Sequence, residues 1–143
     1  MNEPIRAAMD AAIAIAKEHQ TPFGAVILDG ERVVEVAANT GKQDGPLYHA
    51  EIHAMLNLGP QLRHLEQPVL VTTCEPCPMC MGAAIWARMS EIYFGISIGQ
   101  ASQFLGQILV SAQDIADASF HRPRLTGGIL EEEVLELFRR FRR

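Results

Sequence analysis

The feature that most restricts this chain is a pair of short motifs. His49-Ala50-Glu51 lies upstream of Cys74-Glu75-Pro76-Cys77-Pro78-Met79-Cys80. One histidine and two cysteines separated by two residues supply three borderline-soft ligands of the kind zinc prefers. Three protein ligands leave a coordination position open, which a catalytic zinc requires and a structural zinc does not. Glu51 is then better placed as a base than as a fourth ligand. The chain must therefore bring a histidine and a cysteine loop together from separate elements.

The elements fall in a readable order. Asn2-Glu3-Pro4 is a helix start, and Ile5, Met9, Ala12, Ile13 and Ala16 recur at helical spacing, which predicts an amphipathic helix over 3–19. Lys17 and His19 suit its negative end, so His19 reads as a surface residue. Residues 23–28 form an apolar run of strand length. Asp29-Gly30 marks a hairpin returning through 33–38, and residues 40–48 read as a loop. A helix over 49–58, with Ile52, Met55 and Leu56 on one side, closes at Gly59-Pro60. A polar connection leads to a β-branched strand over 69–73. A small-residue helix over 79–87 follows the cysteine turn, and residues 91–95 are the next strand. Residues 96–123 are poorly legible apart from Ser111-Ala-Gln-Asp114, which signals a short helix over 112–119. A last strand over 124–126 and a final helix from 130, with acids first and arginines last, complete the chain. Alternating strands and helices predict an α/β chain built on a buried parallel or mixed sheet.

Composition narrows the function. A chain of 143 residues suits one domain, and its net charge of −5 argues against a surface devoted wholly to nucleic acid. No apolar run approaches a membrane span, and the N-terminal segment lacks the pattern of a secretory signal. Three cysteines crowded into residues 74–80 make a poor disulfide framework and a good metal or thiol cluster, so a reduced, cytoplasmic protein is expected.

A strand ending at Thr73 and a helix starting near Cys77 put both thiols at a helix N-terminus, where the positive dipole end favours the thiolate. Residues two apart on a regular helix point in different directions, so His49 and Glu51 converge only if His49 sits at the very start of its helix. Other readings stay open here. His49 and His53 have zincin spacing, but Ala50 stands where that pattern needs glutamate. Cys74 would close a four-ligand structural site and leave Glu51 without a task. A Cys-x-x-Cys redox pair, or simple buried thiols beside a core histidine, are further possibilities. His53 reads as a supporting or packing residue. Phe23 and Trp86 read as packed aromatics, and Asn39 has the alternative role of a strand-end turn residue.

These motifs, with Pro22-Phe-Gly-Ala-Val26 and Asn39 in the same order, resemble the zinc-dependent nucleobase and nucleoside deaminase superfamily over residues 1–95. The resemblance implies a three-layer α-β-α sandwich around a mixed five-stranded sheet, in a single deaminase domain over 1–143 that assembles as a homodimer. It implies one Zn2+ per chain held by His49, Cys77 and Cys80. Glu51 would carry protons from the attacking water to a ring nitrogen and then to the departing amine. Asn39, the backbone N–H of Ala50, the backbone carbonyl of Glu75 and Phe23 would contact the substrate.

Two branches compete for it. Pro22-Phe23-Gly24 and Cys74-Glu75 are similar to guanine deaminases, whereas His121–Glu133 and the arginines at 139–143 are similar to tRNA adenosine deaminases, whose basic C-terminal helix can touch RNA phosphates. Asp114 and Asp117 are candidate readers of a guanine-like edge or plain surface acids. The overall acidity favours a small nucleobase or nucleoside, guanine first. The rivals are tRNA adenosine and, in another class, a non-catalytic zinc-stabilised interaction domain.

Overall fold

In the computed structural model, residues 2–141 are described. Five strands form one sheet: β1 (Gly24–Asp29), β2 (Arg32–Ala38), β3 (Pro68–Cys74), β4 (Glu91–Ile96) and β5 (Arg124–Thr126), in the order β2-β1-β3-β4-β5. The hairpin β1–β2 and the pair β1–β3 are antiparallel, with Ala25 opposite Thr72. From β3 onward the sheet is parallel, with Val71 opposite Tyr93 and Ile92 opposite Leu125. The expected mixed five-stranded sheet is therefore present, with helices on both faces.

Alternation along the strands divides the core into two layers. Val26, Leu28, Val69 and Val71 face α1 (Glu3–Glu18) and α7 (Glu131–Phe141), where Met9, Ala12, Val134, Leu137 and Phe138 are buried. Ala25, Ile27, Leu70 and Ile92 face the opposite layer. That layer is built from α3 (Ala50–Leu58), α4 (Pro78–Trp86) and α6 (Ala112–Asp117), which bury Ala54, Met55, Met81, Ala84, Ile85 and Ala116 there.

Two glycines allow the first layer to close. A Cβ on Gly24 would lie 2.0 Å from the Ala12 carbonyl oxygen, and one on Gly95 would lie 2.5 Å from Val134 Cγ2. Backbone and side chains already fill those spaces, so α1 and α7 seat directly on the strands.

Several expectations are corrected by local chemistry. Within the expected loop, α2 (Gly41–Asp44) forms because Asn39 Oδ1 accepts from the Gly41 N–H at 2.8 Å and the Thr40 carbonyl accepts from Gln43 and Asp44. The polar connection after Leu58 is a 3-10 turn over Gly59–His64. In the poorly legible stretch, α5 (Ile98–Ala101) starts with a complete capping box: Ser97 Oγ accepts from the Gln100 N–H, and Gln100 Oε1 accepts from the Ser97 N–H. That Ser-x-x-Gln signature is legible in the sequence. Ser111 caps α6 as its spacing indicates, accepting from the Asp114 N–H at 3.1 Å.

Leu56 and Trp86 are exposed instead of packed, Trp86 at 77%. The buried faces of their helices run through Ala54-Met55 and Ala84-Ile85, which turns the following residue outward. His19 is exposed at the end of α1 as expected. Arg142 and Arg143 lie outside the described residues. Among the described residues, no helix is long and apolar enough to cross a membrane.

Candidate metal centre and active-site pocket

The ligand set assembles at two helix starts. His49 is the N-cap of α3, in extended conformation (φ −61°, ψ 156°), and Cys77 is the N-cap of α4 (φ −65°, ψ 168°). Cys80 lies in the first turn of α4 and is fully buried. The first amides of both helices have no helical acceptor, so each N-terminus presents partial positive charge to the same space. The condition on His49 and Glu51 is met: the histidine stands outside the helix and the glutamate is its second residue.

His49 Nδ1 is 3.6 Å from Cys77 Sγ and 3.5 Å from Cys80 Sγ. All three ligand atoms lie within 4.8 Å of one another. A tetrahedral zinc with Zn–S of about 2.3 Å and Zn–N of about 2.0 Å separates neighbouring nitrogen and sulfur ligands by about 3.6 Å. The trio therefore fits one zinc ion in both donor chemistry and spacing. Cys74 is not in this group. It is buried at the end of β3, and burial raises its thiol pKa, so it stands beside the pocket as a neutral thiol.

Electrostatics within the trio are those of a shared-proton cluster. Cys77 is pulled down to about 4, first by the hydrogen bond that Cys80 donates and then by the one with His49; burial opposes both. Cys80 moves up for the complementary reason, since it is the donor. His49 is raised, chiefly by its contact with Cys77, against the effect of burial. Cysteine sulfurs bind zinc as thiolates, so Cys77 and Cys80 would both hold an ion in deprotonated form.

Glu51 is 4% exposed, and burial raises its carboxyl to about 7. Cys77 adds to the rise; its own backbone amide, His49 and Thr72 oppose it. A carboxyl poised there can both accept and return a proton near neutrality, and a cation held by its neighbours would bias it toward the ionised form.

A cavity of about 310 Å³ opens over this cluster, lined by Phe23, Asn39, His49, Glu51, Cys74, Glu75, Cys77 and the segment Leu105–Ile108. Phe23 is half-buried. One edge packs T-shaped on Phe138, with centroids 5.2 Å apart, and the residue also borders the cavity. Asn39 does make a strand-end turn through Gly41, a bond that engages Oδ1, and the residue also borders the cavity. Ala50 is buried as the first residue of α3. His53 is a supporting residue: its Nδ1 donates to the Ala38 carbonyl at 3.0 Å, and its ring meets Tyr48 edge-on. Asp114 and Asp117 are exposed on α6, and neither lines the cavity.

Two features were not read from sequence. The segment Leu105–Ile108 roofs the cavity, and the Glu75 carboxylate is occupied by backbone N–H groups from far along the chain. Backbone donors leave no trace in residue identity, so no motif signals the second.

Residues 2–96 match the family described as the cytidine and deoxycytidylate deaminase zinc-binding region. The tRNA(Ile)-lysidine synthase of Deinococcus radiodurans is 37% identical over 96% of this chain, which spans only 24% of that protein. A probable cytosine deaminase of Schizosaccharomyces pombe is 30% identical over 92% of this chain and 85% of its own length. A tRNA-specific adenosine deaminase of Rickettsia bellii is 31% identical over 92% of this chain and 91% of its own. Among solved structures, a guanine deaminase from Nitrosomonas europaea shares the fold, with a TM-score of 0.82 over 95% of this chain and 83% of its own, at 20% identity. With the ligand trio and strands β1 to β4 all inside the matched residues, the chain belongs to the cytidine and deoxycytidylate deaminase zinc-binding family.

Proposed function

We propose that this chain is a zinc-dependent hydrolytic deaminase of an amino-substituted nucleobase or nucleoside, with guanine as its first substrate. The observation that carries the reading is the buried Glu51 carboxyl sharing one cavity with His49 and Cys77, which form a three-ligand set with the buried Cys80. His49, Cys77 and Cys80 would hold the ion. Zinc bound there makes water nucleophilic near neutral pH.

Glu51 takes a proton from that water and delivers it to the ring nitrogen next to the amino-bearing carbon. The water oxygen adds to this carbon, and Glu51 passes the second water proton to the amine as the C–N bond breaks. Water and amine are consumed, and a ring carbonyl and ammonia are released. The Asn39 NH2 group and the Ala50 N–H donate to ring or carbonyl acceptors, the Glu75 carbonyl orients the amine, and Phe23 packs against the ring.

A cavity of about 310 Å³ is at the small end of the range for ligand pockets, which supports a free base over a larger substrate. Net charge of −5 supports the same choice over RNA. The Rickettsia relative favours one rival, deamination of adenosine in tRNA. The whole of residues 1–143 is read as one catalytic domain. Three free cysteines support a reducing, cytoplasmic setting, and a homodimer is proposed for the assembly.

The test is ammonia release across a panel of guanine, adenine, cytosine, their nucleosides and an anticodon stem-loop, with zinc content measured alongside. Guanine turnover at about one zinc per chain is the expected result. Inosine formed only in the stem-loop would replace guanine with tRNA, and zinc binding with no ammonia from any member would overturn the enzymatic reading in favour of an interaction domain.

A further inference from the structure

Glu75 stands between the last residue of β3 and the first thiol ligand, yet its side chain bonds to main-chain groups far along the sequence. At 9% exposure it is nearly buried, and its two carboxylate oxygens are used separately. Oε1 accepts from the Ile98 N–H at 2.9 Å, and Oε2 accepts from the Ala112 N–H at 2.7 Å. These donors open α5 and α6 and lie 23 and 37 residues downstream. Between them runs the segment whose middle, Leu105 to Ile108, roofs the cavity. Gln107 is the one residue of that stretch with a polar side chain, and it is half-buried. Beyond it Ile108, Leu109 and Val110 are exposed, so packing restrains the roof little on its outer side.

We infer that Glu75 is a positioning residue that clamps both ends of the segment 98–112, and that this clamp sets where the roof, and Gln107 with it, meets the substrate. The Glu75 backbone adds a third tie, since its N–H donates to the Ile96 carbonyl at 2.8 Å. One residue thus registers the metal loop against the base of the roof. Hydrogen bonds to a charged acceptor are among the stronger ones in proteins, and two on one buried carboxylate fix both its position and that of its donors. The inference rests on the deaminase reading for its substrate and on the geometry alone for its clamp.

The test compares the full chain with Glu75→Gln and Ala112→Pro. Glutamine keeps the shape of Glu75 but turns one acceptor into a donor facing an N–H. Proline at 112 removes one donor and leaves Glu75 intact; Ser111 is already extended (φ −69°, ψ 151°), and the first helical position accepts proline. Zinc content, amide exchange across 98–112 and steady-state kinetics on guanine are measured. Both variants should keep about one zinc per chain, exchange faster across 98–112, and show KM raised by roughly ten-fold or more with kcat changed much less, as loss of one such bond implies.

Unchanged exchange in both variants overturns the clamp. Faster exchange with KM unchanged overturns its role toward substrate, and loss of zinc in both would make Glu75 a support of the metal loop instead. Should Glu75→Gln fail to fold, Ala112→Pro carries the same readouts with the carboxylate in place. If the unaltered protein deaminates nothing, the functional reading falls, and amide exchange still decides the clamp.

Discussion

His49 Nδ1 lies 3.5 Å from Cys80 Sγ across 31 residues of sequence, and the contact joins the N-terminal ends of α3 and α4. Both helices also pack in the same apolar layer, through Ala54 and Met55 of α3 and Met81 and Ala84 of α4. Substituting His49→Ala, Cys77→Ser or Cys80→Ser should each reduce bound zinc from about one per chain to near zero, as read by atomic absorption. Because zinc binds the folded form, chelation should also lower the melting temperature, with up to about 4 kcal/mol at stake if free zinc stands near 1,000 times its Kd.

Glu51→Gln separates the chemistry from the metal. The variant keeps the shape of a buried side chain and all three ligands, so zinc content should be unchanged. Turnover should fall by roughly 1,000-fold, the scale expected when a positioned general acid–base is removed. Retained turnover in a zinc-loaded Glu51→Gln protein would remove the carboxylate from the proposed mechanism.

How much of this was legible in the sequence follows from what kind of contact each feature uses. The amphipathic faces of α1 and α7 were written in residue spacing, and Ile5, Met9, Ala12 and Phe138 are buried accordingly. The metal trio was legible because ligand chemistry restricts residue type, and the N-cap placement of His49 followed from the geometry that Glu51 requires. The roof over 105–108 was not, because Gly106, Gln107 and Ile108 carry no periodicity. The Glu75 clamp was hidden too: its donors are main-chain groups, identical at every residue but proline. Trp86 was misread because small neighbours on a short helix do not reveal which side the sheet occupies.

Gly24→Ala should be among the most damaging single methyl additions in the chain. Its Cβ would sit 2.0 Å from the Ala12 carbonyl oxygen and 3.1 Å from Ile15 Cγ2, so α1 would have to move off β1. Overpacking of this kind costs about 3 kcal/mol, readable as a lower urea midpoint. A stability equal to that of the unaltered protein would show that α1 is not seated on the strand in this way.

Trp86 gives an optical check on the opposite face. It is the sole tryptophan, 77% exposed, with its ring 5.0 Å from that of Phe120 and Arg88 over the same phenyl group. Dilute protein should emit close to free tryptophan in water and be readily quenched by iodide. Trp86→Ser should change stability by no more than about 0.5 kcal/mol, as for other surface sites. An emission that shifts to the blue as concentration rises would locate self-association at this aromatic pair.

The two oxygens of Glu75 also bear on how such a chain can change. Residues 98–112 are fastened at their first and last amides by a side chain that lies outside the segment. Ala101 is buried in the core and Phe104 packs on Phe138, so the first part of the span is held by packing as well, while Ile108, Leu109 and Val110 are exposed and leave the latter part open to variation on the same footing. The roof is in effect a replaceable cassette. A foreign loop grafted between Leu105 and Ser111 should exchange one substrate preference for another while the ligands and the Glu75 bonds stay in place.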